Sequence, residues 1–382
     1  MPIDDRPTLA APDDDPYLWL EEIEGDRAVD FVERQSRLTL EKFGHAGFAG
    51  DRDTLAEIYD RPDNIPYVSR CGGFLYNFWK DANNPRGIWR RTTLEEFRNP
   101  DPKWDMLLDL DKLAKAEAED WILRWGQALP GTNARMLSLS RGGSDAVVMR
   151  EFDVANKAFV ADGFTLPEAK GSAEWLDADT LLLSSAYGED MSTVSGYART
   201  VRLWRRGTGV DHALVIFETV SDSMQVYSSV DRSGATPRIW FIERLGFFDY
   251  NWWLGDENGA QTKLDLPTDI WMQAHRDWLA VKVRTAWSAG GQNHEPDTVI
   301  GISLSAFLAG DRDFEVLFEP APRRALQGLF WTAGKLVLPI LDELRPVFDL
   351  CTPSANGWTH SRLHGLPDIG VVNVWPLGPG RD

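Results

Sequence analysis

The sequence predicts an all-β fold: a seven-bladed β-propeller preceded by a short N-terminal helical segment. Three observations carry this. Short runs of β-branched and aromatic residues alternate with turn clusters from about residue 61 onward. The runs repeat, weakly, at the length of a propeller blade. The chain also holds 17 Trp against two Cys, and large rings suit sheet faces, where they pack across strands. The expected boundaries are residues 1–60 for the helical segment and 61–382 for the propeller.

The helical segment is read from spacing. Asp15-Pro16 opens it, and Tyr17, Leu18, Trp19 and Leu20 supply apolar anchors. Ala28, Phe31, Val32, Leu38 and Leu40 follow, the first of them three to four residues apart, as on one face of a helix. Leu55, Ile58 and Tyr59 repeat the spacing in a shorter helix, and Pro62 and Pro66 end it. The apolar face with Phe31, Val32 and Leu38 calls for a partner surface.

The strand runs include Phe74–Trp79, Ala146–Phe152, Thr180–Ser185, Thr200–Trp204, Arg238–Glu243, Trp278–Val283, Val299–Ser303 and Lys335–Pro339. Turn clusters separate them, such as Arg141–Ser144, Asp177–Asp179 and Asp256–Gly259. One helical insert is expected between Leu107 and Arg124, where Leu, Ala, Glu and Lys dominate. Seven blades across residues 51–382 would take about 47 residues each, near the usual length of roughly 40–50. Many short antiparallel strands protect their edges best by closing into a ring, whereas a sandwich would have to absorb too many of them. The last run, Val371–Trp375, is followed only by Pro-Leu-Gly-Pro-Gly-Arg-Asp, which leaves closure of the last blade open.

The net charge of −19, from 40 basic and 59 acidic side chains, repels phosphate backbones and anionic lipid. Nucleic-acid and membrane-surface partners are therefore not expected. Two distant cysteines, Cys71 and Cys351, make no disulfide framework. The acidic, Pro-rich start lacks the basic and apolar regions of a secretory signal. No apolar run reaches spanning length, since Gly328–Leu341 is short and broken by Lys335 and Pro339. These features together give the expectation of a cytoplasmic protein with reduced thiols.

Two motifs resemble a known family. Asp15-Pro-Tyr-Leu-Trp-Leu-Glu-Glu22 with Asp30-Phe-Val-Glu-Arg-Gln35 is similar to the N-terminal region of the prolyl oligopeptidase family of serine peptidases. Ser140-Arg-Gly-Gly-Ser-Asp-Ala-Val-Val-Met-Arg-Glu-Phe-Asp153 resembles that family's second blade, and Arg199–Gly207 another propeller strand. The resemblance runs over nearly the whole chain. It implies a propeller that caps the active site of a C-terminal α/β-hydrolase domain and limits cleavage to short peptides. The catalytic serine, aspartate and histidine would all lie in that domain. The chain stops at Asp382, where the resemblance places the hydrolase. The expectation is thus a truncated product, a gene fragment or one piece of a split enzyme, with the hydrolase domain or a second chain as partner.

The residues themselves offer no catalytic set. A nucleophile elbow needs Gly-x-Ser-x-Gly, because small glycines permit the sharp turn and leave room for oxyanion donors. Gly301-Ile-Ser-Leu-Ser305 comes nearest, but its fifth position is Ser303's neighbour Ser305, not glycine; Ser144 reads as a hairpin turn. His360 and His364 are four apart, yet Gly357, Gly365 and Pro367 argue against a helix, so no metal site is expected. His294 beside Glu295 reads as a surface loop, and no P-loop occurs, so no cofactor is expected. Paired carboxylates such as Glu21-Glu22 read as solvated surface. The cluster Phe247–Trp253 reads as inter-blade packing, with a peptide-binding lip as the other possibility. In the polar loop Ala186–Arg199, Tyr197 and Arg199 are the candidate substrate contacts. The alternative function is a free-standing propeller that binds a peptide or protein partner.

Overall fold

Helix α1 (Asp26–Phe43) forms between two glycines, and the Gly44 N–H closes its last turn on Leu40. Helix α2 (Phe48–Tyr59) follows after a short turn. The computed structural model describes residues 15–22, 25–61, 63–367 and 370–376. The chain divides into two compact units, one holding the helical segment up to Ile65 with the hairpin tip Asp81–Asn83, the other the sheets. In the first, Trp19 meets Phe31 edge-on at 5.6 Å and lies 3.9 Å beneath the Arg27 guanidinium. Of α1 only Ala28 is buried, while Val32, Leu38, Phe43, Leu55, Ile58 and Tyr59 expose half or more of their surface. The periodicity that predicted the helices therefore marks a face without a cover in this unit.

The second unit consists of six antiparallel sheets of propeller type, I to VI. They span residues 69–109, 121–169, 171–218, 225–263, 271–318 and 324–362. Four strands run in chain order across each, with additional short strands at the edges of sheets II and VI. In sheet V a two-stranded hairpin (Trp287–Ala289 with Gln292–His294) is inserted between the second and third strands. Among the described residues the sheets number six where the sequence suggested seven. The six sheets with the links between them occupy residues 69–362, about 49 residues each, close to the expected blade length; among the described residues no strand lies before Ser69 or after Arg362. Val371–Trp375 forms no strand, and Val371 is almost fully exposed. The expected helical insert is real but shorter, Leu110–Glu117, flanked by strands and capped by the Asp109 carboxylate on the Lys112 N–H.

From sheet II to sheet V each second strand lies between two neighbouring sheets, which explains its continuous apolar reading. In Thr180–Ser185, Leu181 and Leu183 pack toward sheet II and Leu182 toward sheet IV. In Arg238–Arg244, Ile239 and Phe241 face sheet III while Trp240 and Ile242 face sheet V. In Trp278–Lys282, Leu279 and Val281 face sheet IV and Ala280 faces sheet VI. The period of two thus distributes alternate side chains to alternate walls. The clusters join consecutive sheets from I to VI, and among the described residues none joins VI to I.

Polar links cross the same boundaries. Arg135 of sheet II donates to Tyr76 Oη of sheet I at 3.2 Å. Trp175 Nε1 donates to the Gln127 carbonyl, tying sheet III to II, and Arg232 donates to the Leu176 carbonyl at 3.0 Å, tying IV to III. The Trp358 N–H of sheet VI donates to the Glu315 carboxylate of sheet V. Glu174, on the first strand of sheet III, accepts from Gln127 Nε2 at 2.9 Å. Burial pushes its carboxyl up to about 6 against the opposing field of Arg232. The folded chain therefore holds this proton more tightly than the unfolded one. The group's contribution to stability is greatest below the ordinary glutamate value of 4.5 and is lost as pH rises through about 6. Glu174→Gln is expected to add about 1–2 kcal/mol of stability near pH 8 and almost nothing near pH 4. Urea melts at the two pH values would show it; an equal change at both would rule out titration of Glu174 as the cause.

Candidate functional site

Because strand order is the same in every sheet, the connections from second to third strand all leave at one end. The links between consecutive sheets emerge there too. This end is a rim built from loops 186–199, 219–224, 245–249 and 283–298 and the turn at 343–344. Contacts between the loops bear this out. The Val194 N–H donates to the Ser221 carbonyl at 2.9 Å, and Thr193 Oγ1 to the Met224 carbonyl at 2.9 Å. The Arg284 guanidinium lies 3.8 Å over the Phe248 ring, and the Glu343 N–H donates to the Arg323 carbonyl.

The rim loops are held from beneath by polar groups. Arg202, almost fully buried, donates to the carbonyls of Ser185 and Tyr187 at 3.1 and 2.9 Å, fixing the root of loop 186–199. Burial lowers its pKa from the ordinary arginine value. Glu243, on the second strand of sheet IV, accepts from Thr219 and Ser223, which anchors loop 219–224 to that strand, and from Asn251 on the third. Arg244 donates to the carbonyls of Gly246 and Phe247, and Tyr250 Oη also reaches the Phe247 carbonyl. A loop so braced presents its side chains outward without collapsing onto them.

Those side chains are apolar. Val194 is 76% exposed, Val220 66%, Phe247 70% and Phe248 59%. Trp271, at the start of sheet V, shows 43% and meets Tyr250 edge-on at 6.1 Å. At sheet VI a groove of about 550 Å³ opens on the same rim, between Ala321, Arg323, Arg324, Leu341, Glu343 and Leu344. An apolar rim with cationic neighbours is a surface suited to protein or peptide.

The cluster Phe247–Trp253 divides between its two readings. Phe247 and Phe248 stand on the rim, whereas Trp252 is buried between sheets IV and V and Trp253 packs toward sheet III. Tyr197 and Arg199 lie in the rim loop as placed by the sequence, but both are engaged with neighbouring residues of the unit. Lys170 Nζ sits 4.7 Å over the Tyr197 ring. Arg199 donates to the Asp190 carbonyl at 2.8 Å and pairs with Glu218 at 3.3 Å. Ser144 occupies a hairpin turn, its Oγ bonded to the Ala146 backbone. Ser303 and Ser305 both donate to Asp277. His360 lies on a strand, 3.6 Å from Cys351 Sγ. His294 is a correction: it is not on a surface loop but 97% covered, because the inserted hairpin folds back onto sheets IV and V. No group of three His, Cys, Asp or Glu among the described residues is placed to hold a metal. No helix among them is long and apolar enough to cross a membrane. The Arg284–Phe248 and Arg244–Phe247 pairs carry no motif, and only the aromatic cluster signalled them.

Residues 10–245 match the family model described as prolyl oligopeptidase, N-terminal beta-propeller domain. The chain is 32% identical to an uncharacterized peptidase, y4nA, of Sinorhizobium fredii, covering 97% of this chain and 53% of that protein. It is 26% identical to an uncharacterized peptidase, RP174, of Rickettsia prowazekii, over 81% of this chain and 45% of that one. The chain thus spans about half the length of the curated relatives it matches. Among solved structures, a post-proline cleaving enzyme from Rickettsia typhi superposes with a TM-score of 0.83 at 23% identity, covering 91% of this chain and 53% of that one. Oligopeptidase B from Leishmania major gives 0.68 at 10% identity, over 90% and 48%.

Proposed function

We propose that this chain, which belongs to the prolyl oligopeptidase N-terminal β-propeller family, is the gating half of a serine peptidase that cleaves short peptides. On this reading the catalytic serine, aspartate and histidine lie in an α/β-hydrolase domain outside these residues, in the same polypeptide or a second chain. The observation that carries it is the braced apolar rim around Phe247 and Phe248, a surface of the kind that is covered by a partner. The uncovered apolar residues of α1 and α2 independently favour a partner of the same kind. Tyr197 and Arg199 shape the rim loop beside the peptide's path. The two free thiols, Cys71 and Cys351, suit a cytoplasmic setting.

The reading includes a seventh sheet between VI and I. Supporting it, among the described residues no apolar cluster joins sheet VI to sheet I, whereas every other consecutive pair shares one.

The test is hydrolysis of short proline-containing peptides by the purified chain alone and after mixing with a hydrolase domain of this family. No turnover above background is expected alone, and turnover is expected from the mixture. Phe247→Ser with Phe248→Ser is expected to weaken association by tenfold or more, about 1.4 kcal/mol. Hydrolysis by the chain alone, or association indifferent to the double variant, would overturn the reading. A second reading, a free-standing propeller that takes a peptide or protein, draws on the groove at sheet VI. It predicts capture of a partner that Leu344→Asp abolishes, with no hydrolase in the complex.

A further inference from the structure

The hairpin of sheet V is seated by three features. Trp287, on its first strand, meets Phe314 edge-on at 5.4 Å. Gly290, in its turn at φ 57°, lies so close to the Arg312 carbonyl that a Cβ there would collide with it. His294, on its second strand, is 3% exposed, with Trp287 at 6.4 Å and Phe314 at 6.3 Å between ring centres. Ala289 and Phe314 join the cluster between sheets IV and V. The His294 Nε2 has no hydrogen-bond partner. A neutral imidazole tolerates such a site at modest cost, whereas a cation that must leave an Nε2–H unpaired among rings does not.

The hairpin also belongs to the rim. The loop that carries it begins with Arg284, whose guanidinium covers Phe248 of the neighbouring sheet. We propose that the 287–294 hairpin is a proton-released latch: neutral His294 holds it shut on sheets IV and V, and protonation frees it and loosens the Arg284–Phe248 contact on the rim. The consequence for docking rests on the function proposed above, but the opening of the latch does not.

The charges around His294 define the direction. On the segment before the last strand of sheet V, the Arg312 guanidinium is committed to the Phe307 and Asp311 carbonyls and to Asp265. Beyond that strand Glu319 favours the protonated ring. On the hairpin's own loop, Glu295 accepts from Asn293, and Asp297 pairs with Lys282 at the base. The helix that supplies Phe307, Leu304–Leu308, carries no charged side chain. Burial outweighs Glu319 and pushes the imidazole below its ordinary value of 6.5. The closed form therefore binds fewer protons than the open one. The latch is fully stabilised above about pH 6.5 and weakens as pH falls below it.

The test is amide hydrogen exchange of the purified chain near pH 7.5 and near pH 5, each rate divided by its intrinsic value. Protection of residues 287–294 is expected to fall roughly tenfold on acidification, with residues 245–249 following. Thr180–Ser185 should hold steady. His294→Phe, which fills the aromatic site without a proton, should abolish the fall, and His294→Gln should do the same if the first variant folds poorly. A hairpin equally protected at both pH values, or a fall that survives in both variants, would overturn the proposal. A hairpin that opens while residues 245–249 stay protected would refute its link to the rim.

Discussion

Replacing Phe241 by alanine is expected to lower stability by about 3–5 kcal/mol. Phe241 lies on the second strand of sheet IV and is fully buried. Its ring stacks on Phe217 of sheet III at 4.8 Å and 17°, and Phe217 meets Trp253 edge-on at 5.5 Å. On the next strand, Gly255 is where a Cβ would strike the Phe241 ring, so the backbone there is shaped to the phenyl group. Alanine would remove the stack and leave a void walled by rings and backbone, which cannot collapse to fill it. Phe241→Leu should lose about 1–2 kcal/mol, since most of the volume stays. Urea denaturation followed by far-ultraviolet dichroism measures both. A loss below about 1 kcal/mol for the alanine variant would mean that sheets III and IV do not share this wall.

The second large effect is at the boundary of sheets II and III. Arg206 holds Glu151 with two parallel hydrogen bonds of 2.8 and 3.0 Å, while the same carboxylate accepts the Phe164 N–H at 2.9 Å. The Glu151 side chain is 6% exposed, that of Arg206 31%. Removing the cation strands a covered carboxylate, so Arg206→Met should lose about 2–3 kcal/mol, the partial exposure of the arginine limiting the figure. Lysine cannot reproduce the planar fork, and Arg206→Lys should recover less than half. Adding Glu151→Gln to Arg206→Met should restore part of the loss, because the stranded charge is gone. Thermal melts of the four proteins decide it; a neutral Arg206→Met would dismiss the pair as decoration.

These two sites show what a sequence makes legible. Leu181–Leu183 and Ile239–Ile242 announce buried strands, because a run apolar on both faces fits only a wall between two cores. The helices at Asp26–Phe43 and Phe48–Tyr59 follow from spacing and from their bounding glycines and prolines. The Arg206–Glu151 pair does not show, since 55 residues separate the partners and either alone reads as solvated surface. Nor does the burial of His294: Gly290-Gly291 signals a turn, but only the fold decides whether a hairpin stands out from the sheets or lies down on them. A division of residues 51–382 into equal blades also counts the stretches before Ser69 and after Arg362, which carry no strand among the described residues. At the rim, the Phe247–Trp253 cluster was visible as a unit. Its division into exposed Phe247 and Phe248 and covered Trp252 arises because Tyr250 begins a strand, after which alternate residues turn inward.

The sharing of each interior second strand between two clusters ties a sheet to both of its neighbours. Slipping one residue along Thr180–Ser185 would hand every side chain to the wrong neighbour, so a change of register in an interior sheet is felt in both sheets beside it. Among the described residues, sheets I and VI each answer to a single neighbour. A change in sheet I or VI is therefore felt in one described neighbour alone, and these two sheets can vary with the least repacking.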